Sequence, residues 1–119
     1  MRSGADLPRV SPDARLGEGL LEMSRKGLGM TVVVDAEERV LGVFTDGDLR
    51  RALDRQIDVH TALMREVMTA RCKSIGPREL AAAGIHLMEK HRITALPVVD
   101  DGKLVGAFNV HDLLKAGVV

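Results

Sequence analysis

The chain has 119 residues, 45% hydrophobic and 29% charged, which is the balance of a folded domain rather than of a disordered or membrane-embedded segment. Lys plus Arg and Asp plus Glu both number 17, and Phe44 and Phe108 are the only aromatics, so neither a net positive field nor a stacking platform is available for nucleic acid. Cys72 is the only cysteine, no stretch reaches the ~18 apolar residues that span a bilayer, and the N-terminus lacks the apolar run of a secretory signal. A cytoplasmic protein with no disulfide, no paired-thiolate metal site, no membrane and no nucleic-acid partner is expected.

In chain order, Ser11-Pro12-Asp13 reads as a helix start, because proline suits a first turn where its missing N–H is not needed. Leu16, Leu20 and Met23 then recur at helical spacing, and Gly27 and Gly29 suit the helix end. Met30 to Val34 and Val40 to Phe44 are short runs proper to buried strands. Thr45-Asp46-Gly47-Asp48-Leu49 opens a helix carrying Leu49, Ala52 and Leu53. A polar connector follows, and the pattern begins again. Gly76-Pro77-Arg78 starts a helix with Leu80, Leu87 and Met88, then come strands at Leu96 to Val99 and Leu104 to Phe108 joined through the Asp100-Asp101-Gly102 turn. Asn109-Val110-His111-Asp112-Leu113 opens the last helix.

The two halves superpose when shifted by about 65 positions. Pro12 matches Pro77, Met23 matches Met88, and Val33-Val34-Asp35 matches Val98-Val99-Asp100. After a one-residue gap, Gly42, Phe44 and Asp48-Leu49 match Gly106, Phe108 and Asp112-Leu113. The organisation expected is repeat 1 over 1–58, a connector over 59–66 and repeat 2 over 67–119, in an α/β (α+β) fold of two β-α-β-β-α units. A unit of about 55 residues buries too little apolar surface alone, so the copies should pack with pseudo-two-fold symmetry around a central cleft. Met1 aligns with Met68, so the chain is expected to start at a domain edge of a longer protein.

Thr45 and Asp48 stand three residues apart at a strand-to-helix junction, and two readings of them remain open. One is a capping box that satisfies the first helical N–H groups. The other is a ligand site, in which Thr45 and the helix N-terminus hold a phosphate while Asp48 accepts from adjacent ribose hydroxyls. Other candidates read as structural. His111-Asp112 are adjacent on a helix and point about 100° apart, and His86 and His91 are poorly spaced for a shared metal, so no metal is expected. Arg50-Arg51, Lys26, Lys90 and Arg92 read as solvated, His60 lies in the connector and Cys72 is an incidental thiol. No nucleophile with an adjacent base and no paired-carboxylate cleft is present, so no catalytic residue is assigned.

Glycine, two apolar residues, Thr, two residues and Asp, in a β-α-β-β-α unit written twice, resembles the CBS-domain pattern over the whole chain. Leu28-Gly29-Met30-Thr31-Val32, Phe44 to Arg51 and His111 to Val119 resemble more narrowly the C-terminal region of bacterial arabinose-5-phosphate isomerases. That resemblance implies a regulatory, non-catalytic Bateman module of an enzyme that interconverts ribulose 5-phosphate and arabinose 5-phosphate for lipopolysaccharide (Kdo) synthesis, its N-terminal sugar isomerase (SIS) domain being outside this chain. No cofactor is required, and the implied ligand is a nucleotide in the cleft: AMP, ATP, a cytidine nucleotide or CMP-Kdo. Implied partners are the SIS domain and a second copy in a homodimer or higher homo-oligomer. Carried onto this sequence, Thr45 and Asp48 contact phosphate and ribose, Met30 and Thr31 line the site, and Val10 and Ile75 flank a base. Asn109, Asp112, Leu96 and Pro97 form the second site, in which Asn109 replaces the usual Thr or Ser, so one occupied site per chain is expected. A rival expectation is a ligand-free association module.

Overall fold

A computed structural model describes residues 3–70, 73–79 and 81–110 of the chain. After a 3-10 turn at Gly4–Asp6, the first repeat runs β1 (Arg9–Val10), α1 (Leu16–Lys26), β2 (Met30–Val34), β3 (Val40–Thr45) and α2 (Asp46–Asp54). A short helix, α3 (Met64–Val67), follows, and the second repeat contributes α4 (Ala81–His91), β4 (Ala95–Asp100) and β5 (Lys103–Asn109). The expected final helix, with His111 and Asp112, lies outside the described residues, as do Cys72 and Leu80.

The internal repeat holds at the level of strand register. β1 lies parallel to β2, with Val10 opposite Val33, and β2 pairs antiparallel with β3 from Met30 opposite Thr45 to Val34 opposite Val40. In the second half Ile75 bridges Val98 in parallel, and β4 pairs antiparallel with β5 from Ala95 opposite Asn109 to Asp100 opposite Lys103. Each hairpin carries a register shift at the same place, Val33/Val34 in one and Val98/Val99 in the other. The second hairpin closes on Asp101 (φ 52°) and Gly102 (φ 79°), the two left-handed positions that a tight Asp-Gly turn requires.

Both helix starts fall later than the prolines suggest. Ser11 to Ala14 is a turn closed by the Ala14 N–H on the Ser11 carbonyl, 3.1 Å, and α1 begins at Leu16. The reason is tertiary. Arg15 forms an antiparallel bridge with Leu63, the Leu16 N–H donates to the Ala62 carbonyl at 2.8 Å, and the Met64 N–H donates to the Ala14 carbonyl at 2.8 Å. The connector thereby holds Arg15 extended (φ −75°, ψ 155°), and proline's fixed φ serves a turn as well as a helix. The connector is itself less irregular than its polar composition suggests, since it ends in α3. At the other end of α1, Gly27 (φ 65°) donates its N–H to the Met23 carbonyl at 3.1 Å and stops the helix.

Strand alternation sorts the side chains into three clusters. Met30, Val32 and Val34 turn one way and join Val43, Ala95, Leu104 and Ala107, so this cluster glues the two repeats together. Val33 and Phe44 turn the other way, onto Leu16 and Met23 of α1 and Ala52 of α2. Leu96, Val98 and Phe108 do the same with Ile75 and Met88 in the second repeat. Each fully buried Leu, Val or Phe contributes about 1.5–3 kcal/mol, and the shared cluster is the part neither repeat possesses alone. The two hairpin turns add backbone bonds between repeats, Val40 N–H to the Gly102 carbonyl at 2.9 Å and Leu104 N–H to the Glu38 carbonyl at 3.0 Å.

The segment leading into the second repeat lies on β3. Val43 and Thr69 exchange backbone hydrogen bonds of 3.0 and 2.8 Å, and a Cβ on Gly42 would stand 2.6 Å from the Thr69 carbonyl oxygen. Gly42→Ala is therefore expected to push that segment off β3 and destabilise the chain by about 1–3 kcal/mol in urea unfolding. An unchanged midpoint would show that the contact is not closely packed in solution.

Candidate functional site

The Thr45 to Asp48 segment folds as a cap at the start of α2. Thr45 is extended (φ −124°, ψ 176°), and the Asp48 carboxylate turns back over it. Asp48 Oδ2 accepts from the Thr45 N–H at 2.9 Å and from the Thr45 hydroxyl at 3.2 Å. Asp48 Oδ1 accepts from Arg51 Nη2 at 2.6 Å and from the Thr69 hydroxyl at 2.7 Å. The carboxylate is only 5% exposed, and a carboxylate offers about four acceptor positions, so burial is offset here by a full set of donors. The capping reading of Thr45 and Asp48 is thus realised, and the pair also lies on the wall of a cleft.

That cleft encloses about 400 Å³ between the repeats, within the range of small-molecule pockets. The first repeat supplies Gly29, Met30, Val43, the turn from Thr45 to Asp48, and Arg51. Thr69 and Lys73 enter from the leading segment of the second repeat, which also supplies His91 to Ala95 together with Pro97. An apolar floor of Met30, Val43, Ile93, Ala95 and Pro97 therefore meets a polar rim. The rim carries Arg51, Lys73 and Arg92 against Asp46 and Asp48, so cations predominate, and Lys73 and Arg92 still face Asp46 alone after Arg51 is paired with Asp48. Burial, followed by the charges of Lys73 and Lys90, holds the His91 imidazole below the usual histidine value of 6.5.

The sequence-derived site residues separate into groups. Met30, Thr45, Asp48 and Pro97 meet in the cleft. Thr31 does not present its side chain there, because it is fully buried on the opposite face of β2 and donates its hydroxyl to the Gly19 carbonyl of α1 at 3.2 Å. Val10 lines a separate open groove with Pro12, Asp13 and Val34. Ile75 and Leu96 are enclosed in the second-repeat cluster. Asn109 is buried at the end of β5 opposite Ala95, and Asp112 lies outside the described residues.

Sequence reasoning missed Thr69 and Lys73, read Arg51 and Arg92 as solvated, and set His91 aside as structural. Thr69 is far from Asp48 in sequence and belongs to no motif, so only the fold joins them. The His91-Arg92-Ile93-Thr94-Ala95 stretch carried a usable signal, since it occupies the place in repeat 2 that Lys26 to Met30 occupies in repeat 1. Among the described residues no cluster of His, Cys, Asp and Glu is arranged to hold a metal ion, and no helix is long and apolar enough to cross a membrane.

Comparison with known proteins places this architecture. The CBS-domain family model matches residues 1–55 and 64–119. Arabinose 5-phosphate isomerase KdsD of Pseudomonas aeruginosa is 52% identical over 120 residues, and that of Yersinia pestis is 48% identical over 119. These alignments cover all of this chain but only 37% and 36% of the relatives, so the chain spans about a third of their length. Among solved structures, a CBS-domain-containing protein from Agrobacterium tumefaciens superposes with a TM-score of 0.83 at 29% identity, covering 96% of this chain and 91% of that one. The cytosolic domain of the Mg2+ channel MgtE, solved in complex with ATP, superposes with a TM-score of 0.76 at 26% identity over 96% of this chain and 46% of its own. Repeat, register and family model agree: the chain belongs to the CBS-domain family and is a CBS pair homologous to the corresponding part of KdsD.

Proposed function

We propose that the chain is the regulatory CBS pair of an arabinose-5-phosphate isomerase, which takes a nucleotide or nucleotide-sugar into the inter-repeat cleft and passes its occupancy to an isomerase domain. The observation that carries this reading is the composition of the cleft, in which a buried carboxylate at a helix start faces Lys73 and Arg92 across an apolar floor. A base fits the floor, a vicinal diol fits Asp48, and a phosphate fits the first turn of α2 with cations opposite. Identity of 48–52% to KdsD relatives along the whole chain supports the choice of parent enzyme, and the ATP complex of the MgtE domain supports the ligand class. Because the cleft walls come from both repeats, a ligand that bridges them favours one relative arrangement over another, which is what a sensor requires.

A second reading is a ligand-free association module, favoured by Leu21 of α1 and Leu53 of α2, which are 56% and 57% exposed. Two large apolar side chains left in water on the helices of one repeat suit a homo-oligomeric contact.

A thermal-shift screen against AMP, ATP, CMP and CMP-Kdo separates the two, because a ligand that binds only the folded chain raises its melting temperature. At least one nucleotide is expected to do so, and Asp48→Asn is expected to weaken its binding by about tenfold, the worth of one hydrogen bond to a charged group. No shift with any of the four, together with a dimer in sedimentation, would favour the association module.

The cleft should also respond to pH. The folded-state pKa of His91 is depressed, so below 6.5 the unfolded chain binds the extra proton more readily and stability falls as pH falls through the folded value. Urea midpoints compared from about pH 7.5 to about pH 5.5 are expected to drop more steeply for the wild type than for His91→Gln. Parallel slopes would contradict the assignment.

A further inference from the structure

The four donors on Asp48 are not equally committed. The Thr45 N–H and hydroxyl belong to the cap itself, and Thr69 is anchored by its two backbone bonds to Val43. Arg51 reaches the carboxylate from the end of a long side chain, 66% accessible against 5% for Asp48, whereas the exposed Thr69 is held by its backbone. A ribose diol approaching Oδ1 must therefore displace the Arg51 guanidinium, the donor with the least holding it in place.

The displaced guanidinium has a favourable destination at the start of α2. Its Nη1 and Nη2 already lie 3.5 and 3.6 Å from where a Cβ of Gly47 would be, beside the first turn of the nine-residue helix α2. An anion drawn to that helix start would sit within reach of Arg51 and could take two parallel hydrogen bonds from it. Without such an anion, the guanidinium exchanges a 2.6 Å charge-assisted bond for water.

The geometry points to Arg51 as a specificity-determining residue that moves from Asp48 to a ligand phosphate, so that recognition of the diol and recognition of the phosphate depend on each other. The inference rests on the nucleotide reading of the cleft and extends it. A nucleoside offers the diol and leaves Arg51 uncompensated, and inorganic phosphate offers the anion but leaves Arg51 shared with Asp48. A nucleotide satisfies both groups at once.

Isothermal titration of AMP, CMP, adenosine and cytidine into the wild type, Arg51→Ala and Arg51→Gln tests this, with melting curves to establish that the variants are folded. The wild type is expected to prefer each nucleotide over its nucleoside by about tenfold or more. Both variants should lose about tenfold in nucleotide affinity while keeping or gaining affinity for the nucleoside, whose competitor for Asp48 is gone. Equal weakening of nucleotide and nucleoside, or an intact preference in both variants, would overturn the role of Arg51 and leave the nucleotide reading standing. If none of the four probes binds the wild type and neither ATP nor CMP-Kdo does, the reading and the inference fail together.

Discussion

The structure turns on one buried carboxylate. Asp48 starts α2 by accepting from Thr45, fixes the connecting segment by accepting from Thr69, and carries the Arg51 guanidinium at the cleft wall. Three separate tasks thus meet in one side chain: ending a strand and beginning a helix, seating the chain between repeats, and shaping a cavity. A buried charge is tolerated only when it is saturated with donors, so any ligand that competes for Asp48 disturbs elements that are remote from one another in sequence.

The second constraint is that neither repeat encloses its own apolar surface. β2 is buried along its whole length because one face packs on α1 and the other on the second repeat. Three of the residues that glue the repeats, Met30, Val43 and Ala95, also floor the cleft. The cleft and the packing between repeats share part of one interface, so the cleft is not a surface feature that could be lost without cost to the fold.

Much of this was legible in the sequence. β2 runs from Met30 to Val34 as its β-branched run implies, and the other strands extend the expected runs by one or two residues at their ends. The duplication foretold the paired hairpins, because a twofold pattern in sequence must be built twice in space. Helix starts were less legible, since the bridge of Arg15 to Leu63 overrides what Pro12 would allow by itself. The side-chain direction of Thr31 was readable from strand alternation, which sends it to the same face as Val33 and away from Met30. The cleft cations were not readable in the same way, because Lys73, His91 and Arg92 converge only after the repeats have packed, and a sequence carries no direct record of which solvated ends will meet.

Pro97 breaks the symmetry of the duplication. In the first repeat the Val32 N–H donates to the Pro8 carbonyl at 2.9 Å and helps hold the leading strand, but Pro97 stands in the place of Val32 and has no N–H to give. Among the described residues the leading segment of the second repeat meets β4 only around Ile75, through Ile75 N–H to the Pro97 carbonyl at 3.2 Å and Val99 N–H to the Ile75 carbonyl at 2.8 Å. Local opening follows the least-bonded element. A duplicated fold thereby acquires a direction: at this position the leading strand of the first repeat takes a backbone bond that its counterpart before β4 cannot receive from Pro97.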